Sequence, residues 1–82
     1  MMQRTQAERF EVLHRALSDG PAPDFELMSY MLVNYGDMYR AINGKDPLGA
    51  IESDIESFAR SGYARKRTEK CKNIIIDIYE AI

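Results

Sequence analysis

Apolar residues open the chain at helical spacing. Phe10, Leu13 and Leu17 fall on one face, with Ala16 beside them, and Thr5-Gln6-Ala7-Glu8 fits a capping box at the helix start. The pattern predicts a helix over 6–18, ended by Gly20 and blocked from continuing by Pro21 and Pro23. A second helix is predicted over 24–43, with Asp24 as its N-cap. Phe25, Met28, Leu32, Tyr35, Tyr39 and Ile42 mark one stripe, while Leu27, Tyr30, Met31, Val33 and Met38 spread apolar character around most of the circumference. Such a helix is either central and buried or half of an interface. Gly36-Asp37 predicts a kink near 36. Asp46-Pro47 then opens a third helix over 47–61, whose inward stripe is Leu48, Ile51, Ile55 and Phe58 and whose end is Ser61-Gly62.

After Gly62 two readings compete. Ile74, Ile76 and Ile78 alternate with Ile75, Asp77 and Tyr79, which suits a strand, yet Cys71, Ile75, Ile78 and Ile82 also match a helical stripe. The hairpin is preferred, with strands over 63–67 and 73–80 and a polar stretch over 68–72. A triple isoleucine sits better in a strand, and about one residue would separate the third helix from a fourth. The predicted class is therefore α+β, three helices followed by a C-terminal β-hairpin, with an all-α four-helix bundle as the alternative.

Eighty-two residues make a single domain spanning 1–82. At 45% hydrophobic and 29% charged residues the chain has the composition of a folded domain, small enough that every large apolar side chain is needed in the core or at a partner. No run of aliphatic residues exceeds three, and MMQRTQAER lacks the hydrophobic stretch of a signal peptide, so a cytoplasmic protein without a membrane segment is expected. The single cysteine, Cys71, agrees with a reducing compartment. Charge changes the picture more. Residues 60–72 hold six Lys/Arg against one acid, whereas the rest of the chain holds five against twelve.

Candidate catalytic chemistry is sparse. His14 and Cys71 are far apart and have no companion ligands, so neither a zinc site nor a Cys-His pair is expected. Glu52 and Glu56 lie four apart on one outward face, as a solvated acidic surface does. The glycines at 36, 44 and 49 do not match a phosphate-binding loop. The expectation is a protein that is not an enzyme and uses no cofactor or metal.

The order of elements, with IESDIESFARSGY followed by a basic segment, resembles the winged helix-turn-helix domains of transcription regulators. The carrying positions are Ile51, Ile55 and Phe58, then Gly62, with Tyr63 opening the wing. The chain departs from that pattern in the long spacing between Glu26-Leu27 and Ile51, and in Glu52 and Glu56, which stand where the family approaches the major groove. The resemblance implies a homodimeric regulator of transcription or replication bound to double-stranded DNA. Arg65, Lys66, Arg67, Lys70 and Lys72 would hold phosphates, and Ser53, Ser57 and Arg60 would approach bases. The alternative is a protein–protein interaction module, an adaptor or inhibitor of the kind small phage or mobile-element proteins provide. It would use Glu52 and Glu56 together with Tyr30, Tyr35 and Met38 of the second helix.

Overall fold

A computed structural model describes residues 5–82. In chain order it contains α1 (Gln6–Ala16), β1 (Ala22–Pro23), α2 (Asp24–Ile42), α3 (Pro47–Arg60), β2 (Ala64–Cys71) and β3 (Ile74–Ala81). The class is α+β: three helices against a three-stranded antiparallel sheet of order β1-β3-β2.

Local chemistry explains where the elements begin and end. At α1 the Thr5 hydroxyl accepts from the Glu8 N–H at 3.3 Å while the Glu8 carboxylate accepts from the Thr5 N–H, so two orphan donors satisfy each other. At α3 the Asp46 carboxylate accepts from the Gly49 N–H at 2.9 Å, and Pro47 follows in the first turn. Gly62, at φ +90°, turns the chain from α3 into β2 in a conformation that side-chain-bearing residues rarely adopt.

α2 differs from its predicted stripe. Leu27, Met31, Met38 and Tyr39 are the residues that enter the core, whereas Phe25 and Ile42 are exposed. The reason is a change of face along the helix: Tyr35 leaves helical geometry (φ −135°, ψ 23°), one residue before Gly36, and residues beyond that point are rotated relative to those before it. Beside the break the Asn34 amide donates to the Tyr30 carbonyl at 2.9 Å. In α3, Leu48 is 43% exposed rather than inward, while Ile51, Ile55 and Phe58 are buried as expected.

Twelve residues form the buried apolar core, and only two belong to the hairpin: Ala64 of β2 and Tyr79 of β3. A buried ion pair accompanies them. Arg9 of α1 donates from Nε to Asp54 Oδ2 at 2.6 Å and from a terminal nitrogen to Oδ1 at 3.3 Å, closing a two-point bridge to α3. The Tyr39 hydroxyl is buried beside this pair, close enough for the Asp54 carboxylate to act on it. Burial first, and the Asp54 charge second, hold the Tyr39 phenol well above its ordinary pKa.

The hairpin is longer than expected. The polar residues 68–71 belong to β2, and only Lys72 and Asn73 form the turn between Cys71 and Ile74, with Lys72 at a positive φ of 57°. The Ile82 N–H donates to the Tyr63 carbonyl at 3.2 Å, closing the base of the hairpin against the helical body. No helix among the described residues is long and apolar enough to cross a membrane.

Candidate nucleic-acid interface

Strand alternation sorts the basic residues onto two faces. Ala64 and Tyr79 are buried, so their face looks toward the helices, and register adds Lys66, Thr68, Lys70, Asp77 and Ile75 to it. Arg65, Arg67, Glu69 and Cys71 take the opposite face, across from Glu80, Ile78, Ile76 and Ile74. The five cations predicted as phosphate contacts are therefore not a single stripe.

Some of them are already engaged. Lys66 Nζ lies 3.6 Å from the Asp77 carboxylate, which also accepts from the Thr68 hydroxyl at 3.2 Å, and Arg67 lies 3.6 Å from Glu69. These exposed pairs are weak. Arg65, Lys70 and Lys72 enter no ion pair among the described residues, and the latter two stand near the hairpin tip. β2 is also an unpaired sheet edge, and its row of Lys and Arg discourages another strand from adding to it.

On α3, Glu52, Ser53, Glu56 and Arg60 are exposed and Ser57 is half-buried. The four outward positions that could meet a nucleic acid thus carry two carboxylates, one hydroxyl and one guanidinium. Between α3 and the inner hairpin face lies a groove of about 340 Å3 lined by Glu56, Ala59, Arg60, Ala64, Lys66 and Tyr79. Tyr79 is only 3% exposed, and burial, followed by Asp24, Asp77, Glu56 and Glu52, pushes its phenol up to about 12. Asp24 is raised as well, by burial first and by Asp77 and Glu56 next, with Lys66 opposing.

The residues predicted for a protein-partner surface separate. Tyr30 is 44% exposed and Tyr35 is half-buried at the kink, their rings 6.3 Å apart. Met38 is corrected: at 8% exposure it is a core residue, because the rotation after Tyr35 turns it inward, and it is closed to a partner. His14 is exposed, on the rim of a second groove of about 670 Å3 along α1, where Phe10 meets Phe58 edge-on at 5.2 Å and Phe58 stacks on Tyr63 at 5.5 Å.

Sequence reasoning missed Arg9, Asp54, Asp24 and Tyr79. Two of them carried a signal. Arg9 precedes Leu13 and Leu17 at four-residue steps, and Asp54 sits between Ile51 and Ile55 on the inward stripe, so each is a charge at a core position. Asp24 and Tyr79 meet only through the β1-β3 pairing, which no local pattern announces.

No protein-family model, no curated protein and no solved structure matches this chain.

Proposed function

We propose that this chain is a small DNA-binding regulator of the winged-helix type, in which the hairpin, acting as the wing, supplies most of the grip and α3 reads little. The element order with a β1-β3-β2 sheet supports the winged-helix reading. The observation that carries the DNA reading is the charge of the hairpin. Residues 64–81 hold five Lys/Arg against three acids, a net +2, whereas residues 5–63 hold five against ten, a net −5.

A duplex attracted by the first and repelled by the second is held at the hairpin's outer face and tip, by Arg65, Lys70 and Lys72, with Arg67 beside them. Each phosphate neutralised lowers the salt exponent of binding by about 0.9. Glu52 and Glu56 are exposed on α3, where carboxylates find few partners on base edges apart from cytosine N4. A homodimer would double the contacts and present two half-sites.

A labelled duplex titrated at low and moderate salt tests this reading. Binding should weaken steeply with salt, and Lys70→Ala with Lys72→Ala should flatten the dependence by roughly two phosphates' worth. Absence of binding at low salt would sink it. The second reading, a protein-interaction module, is favoured by one observation: Glu52 and Glu56 are exposed and enter no ion pair among the described residues.

A further inference from the structure

As the edge of the sheet, β2 is unusually open. Its eight residues pair with β3 in unbroken register, from Ala64 opposite Ala81 to Cys71 opposite Ile74, with no bulge and no proline, and residues 65–71 are all exposed. Edge strands are ordinarily blunted by shortness, bulges, proline or charge, because their outward N–H and C=O groups template another strand. Charge alone guards this one, and nearly all of it has one sign: Arg65, Lys66, Arg67 and Lys70 against Glu69. Such a guard is selective. A second β2 laid antiparallel along this edge would set cations against cations, which destabilises a strand pair, whereas an acidic strand reverses the sign.

The second observation is how the cations are distributed. Arg65 and Arg67 project on the outer face of the hairpin, Lys66 and Lys70 on the inner one. A duplex resting on one face leaves the other pair unused. An extended chain running along the edge turns its own side chains to the two faces alternately and reaches all four. The existing ion pairs offer little competition: Lys66–Asp77 and Arg67–Glu69 are exposed and 3.6 Å long, and Arg65 and Lys70 enter none among the described residues.

We infer that the free edge of β2 accepts an acidic extended segment of a protein partner as a fourth strand of the sheet. Main-chain hydrogen bonds along the edge supply the affinity, and Asp or Glu side chains facing Arg65 and Arg67 on one side and Lys66 and Lys70 on the other supply the choice of partner. Strand addition at this edge does not require that the chain binds DNA. Where the winged-helix reading holds, a duplex and the segment draw on the same arginines and exclude each other, so the segment acts as an inhibitor of DNA binding.

The probe is a labelled peptide of three Glu-Glu-Thr repeats, titrated by fluorescence anisotropy against the full chain at one moderate salt concentration. A second peptide of the same sequence, N-methylated at alternate residues, keeps every charge and loses the N–H groups that a strand needs; it should bind roughly tenfold more weakly or worse. Arg67→Glu on the outer face and Lys70→Glu on the inner face should each weaken the first peptide roughly tenfold. Lys45→Glu, exposed between α2 and α3, changes the net charge equally and should leave binding almost unchanged. All three variants alter exposed side chains, and melting curves confirm that the fold is kept. Hydrogen exchange gives an independent readout: the β2 N–H groups that point away from β3 should become protected when the peptide is added.

Equal binding of the two peptides, or equal losses for Lys45→Glu and Arg67→Glu, would reduce the effect to general attraction and overturn the proposal. So would a loss in Arg67→Glu with none in Lys70→Glu, since an added strand meets both faces. A dimer in sedimentation of the chain alone, with the outward β2 amides already protected, would assign the edge to a second copy and overturn it as well. A duplex titrated separately keeps the two readings apart: a chain that binds the duplex and not the peptide sinks strand addition alone, and one that binds the peptide and not the duplex sinks the DNA reading alone.

Discussion

The helical body and the hairpin are built on different principles. Nine of the twelve core residues belong to the helices and a tenth, Leu17, caps α1; the helical body also holds the side-chain caps and the Arg9–Asp54 bridge. The hairpin gives the core Ala64 and Tyr79, keeps the rest of β3 from Ile76 to Ala81 half-buried, and exposes β2 and the tip, with Ile74 at 65% and Ile75 at 69% exposure. A free hairpin is marginal in water, so this one is ordered by its base: Tyr79 in the core, the β1 pairing and the Ile82–Tyr63 bond. Stability resides in an acidic body and the positive charge in an appendage. Changes in one should therefore leave the other's property largely intact.

The largest effect tests the body. Asp54→Ala takes the carboxylate away from a mostly buried guanidinium and should cost about 3 kcal/mol in denaturant unfolding, a large fraction of a small domain's stability. Replacing both members, Arg9→Met with Asp54→Leu, should restore most of it. If Asp54→Ala costs little, the bridge is not what joins α1 to α3.

Alkaline pH probes the place where body and hairpin meet. Tyr79, raised to about 12, and Tyr39, raised further, keep their protons in the folded state after the unfolded chain has begun to lose them. Their contribution is fully present below the ordinary tyrosine pKa of 10.0 and is lost as pH rises from there through the folded value. Unfolding midpoints should fall above pH 10, and the fall should shrink in Tyr79→Phe. Asp24 acts in the same sense at acid pH. Its folded pKa is raised above 3.8, so its ionisation is disfavoured in the fold. Asp24→Asn should raise stability at neutral pH by a small amount that vanishes below pH 3.8, read from melting at the two pH values.

The smallest effects belong to the hairpin. Lys72→Gly relieves a positive φ in the two-residue turn and should stabilise by about 0.5–1 kcal/mol. Ile74→Thr removes an exposed side chain and should change stability by no more than about 0.5 kcal/mol. Native-state hydrogen exchange should show the same gradient, fast at 70–75 and slow around Leu13, Ile51 and Ile55. Uniform protection would break the comparison.

Much of the body was legible because its signals are local. Thr5-Gln6-Ala7-Glu8, Asp46-Pro47 and Gly62 each act within a turn or two, and the stripe of Ile51, Ile55 and Phe58 needs one helix alone. The alternation of Ile74, Ile76 and Ile78 distinguished the strand, but not the start of the turn, because Thr68 to Cys71 read as polar loop until paired with Ile74 to Asp77. The α2 stripe was misread because a break at Tyr35 changes which face is inward, and periodicity assumes an unbroken helix. For the candidate interface, sequence named the cations and the acids, but only strand register separates Arg65 and Arg67 from Lys66 and Lys70, and only the fold brings Asp24 to Tyr79.

Cys71 is the last residue of β2, exposed beside the turn, and the chain has no other cysteine. Nature has thus put a single chemical handle at the far end of the basic appendage. A maleimide fluorophore or nitroxide attached there, with no residue replaced, would report how freely the tip moves and whether it is immobilised when a duplex is added.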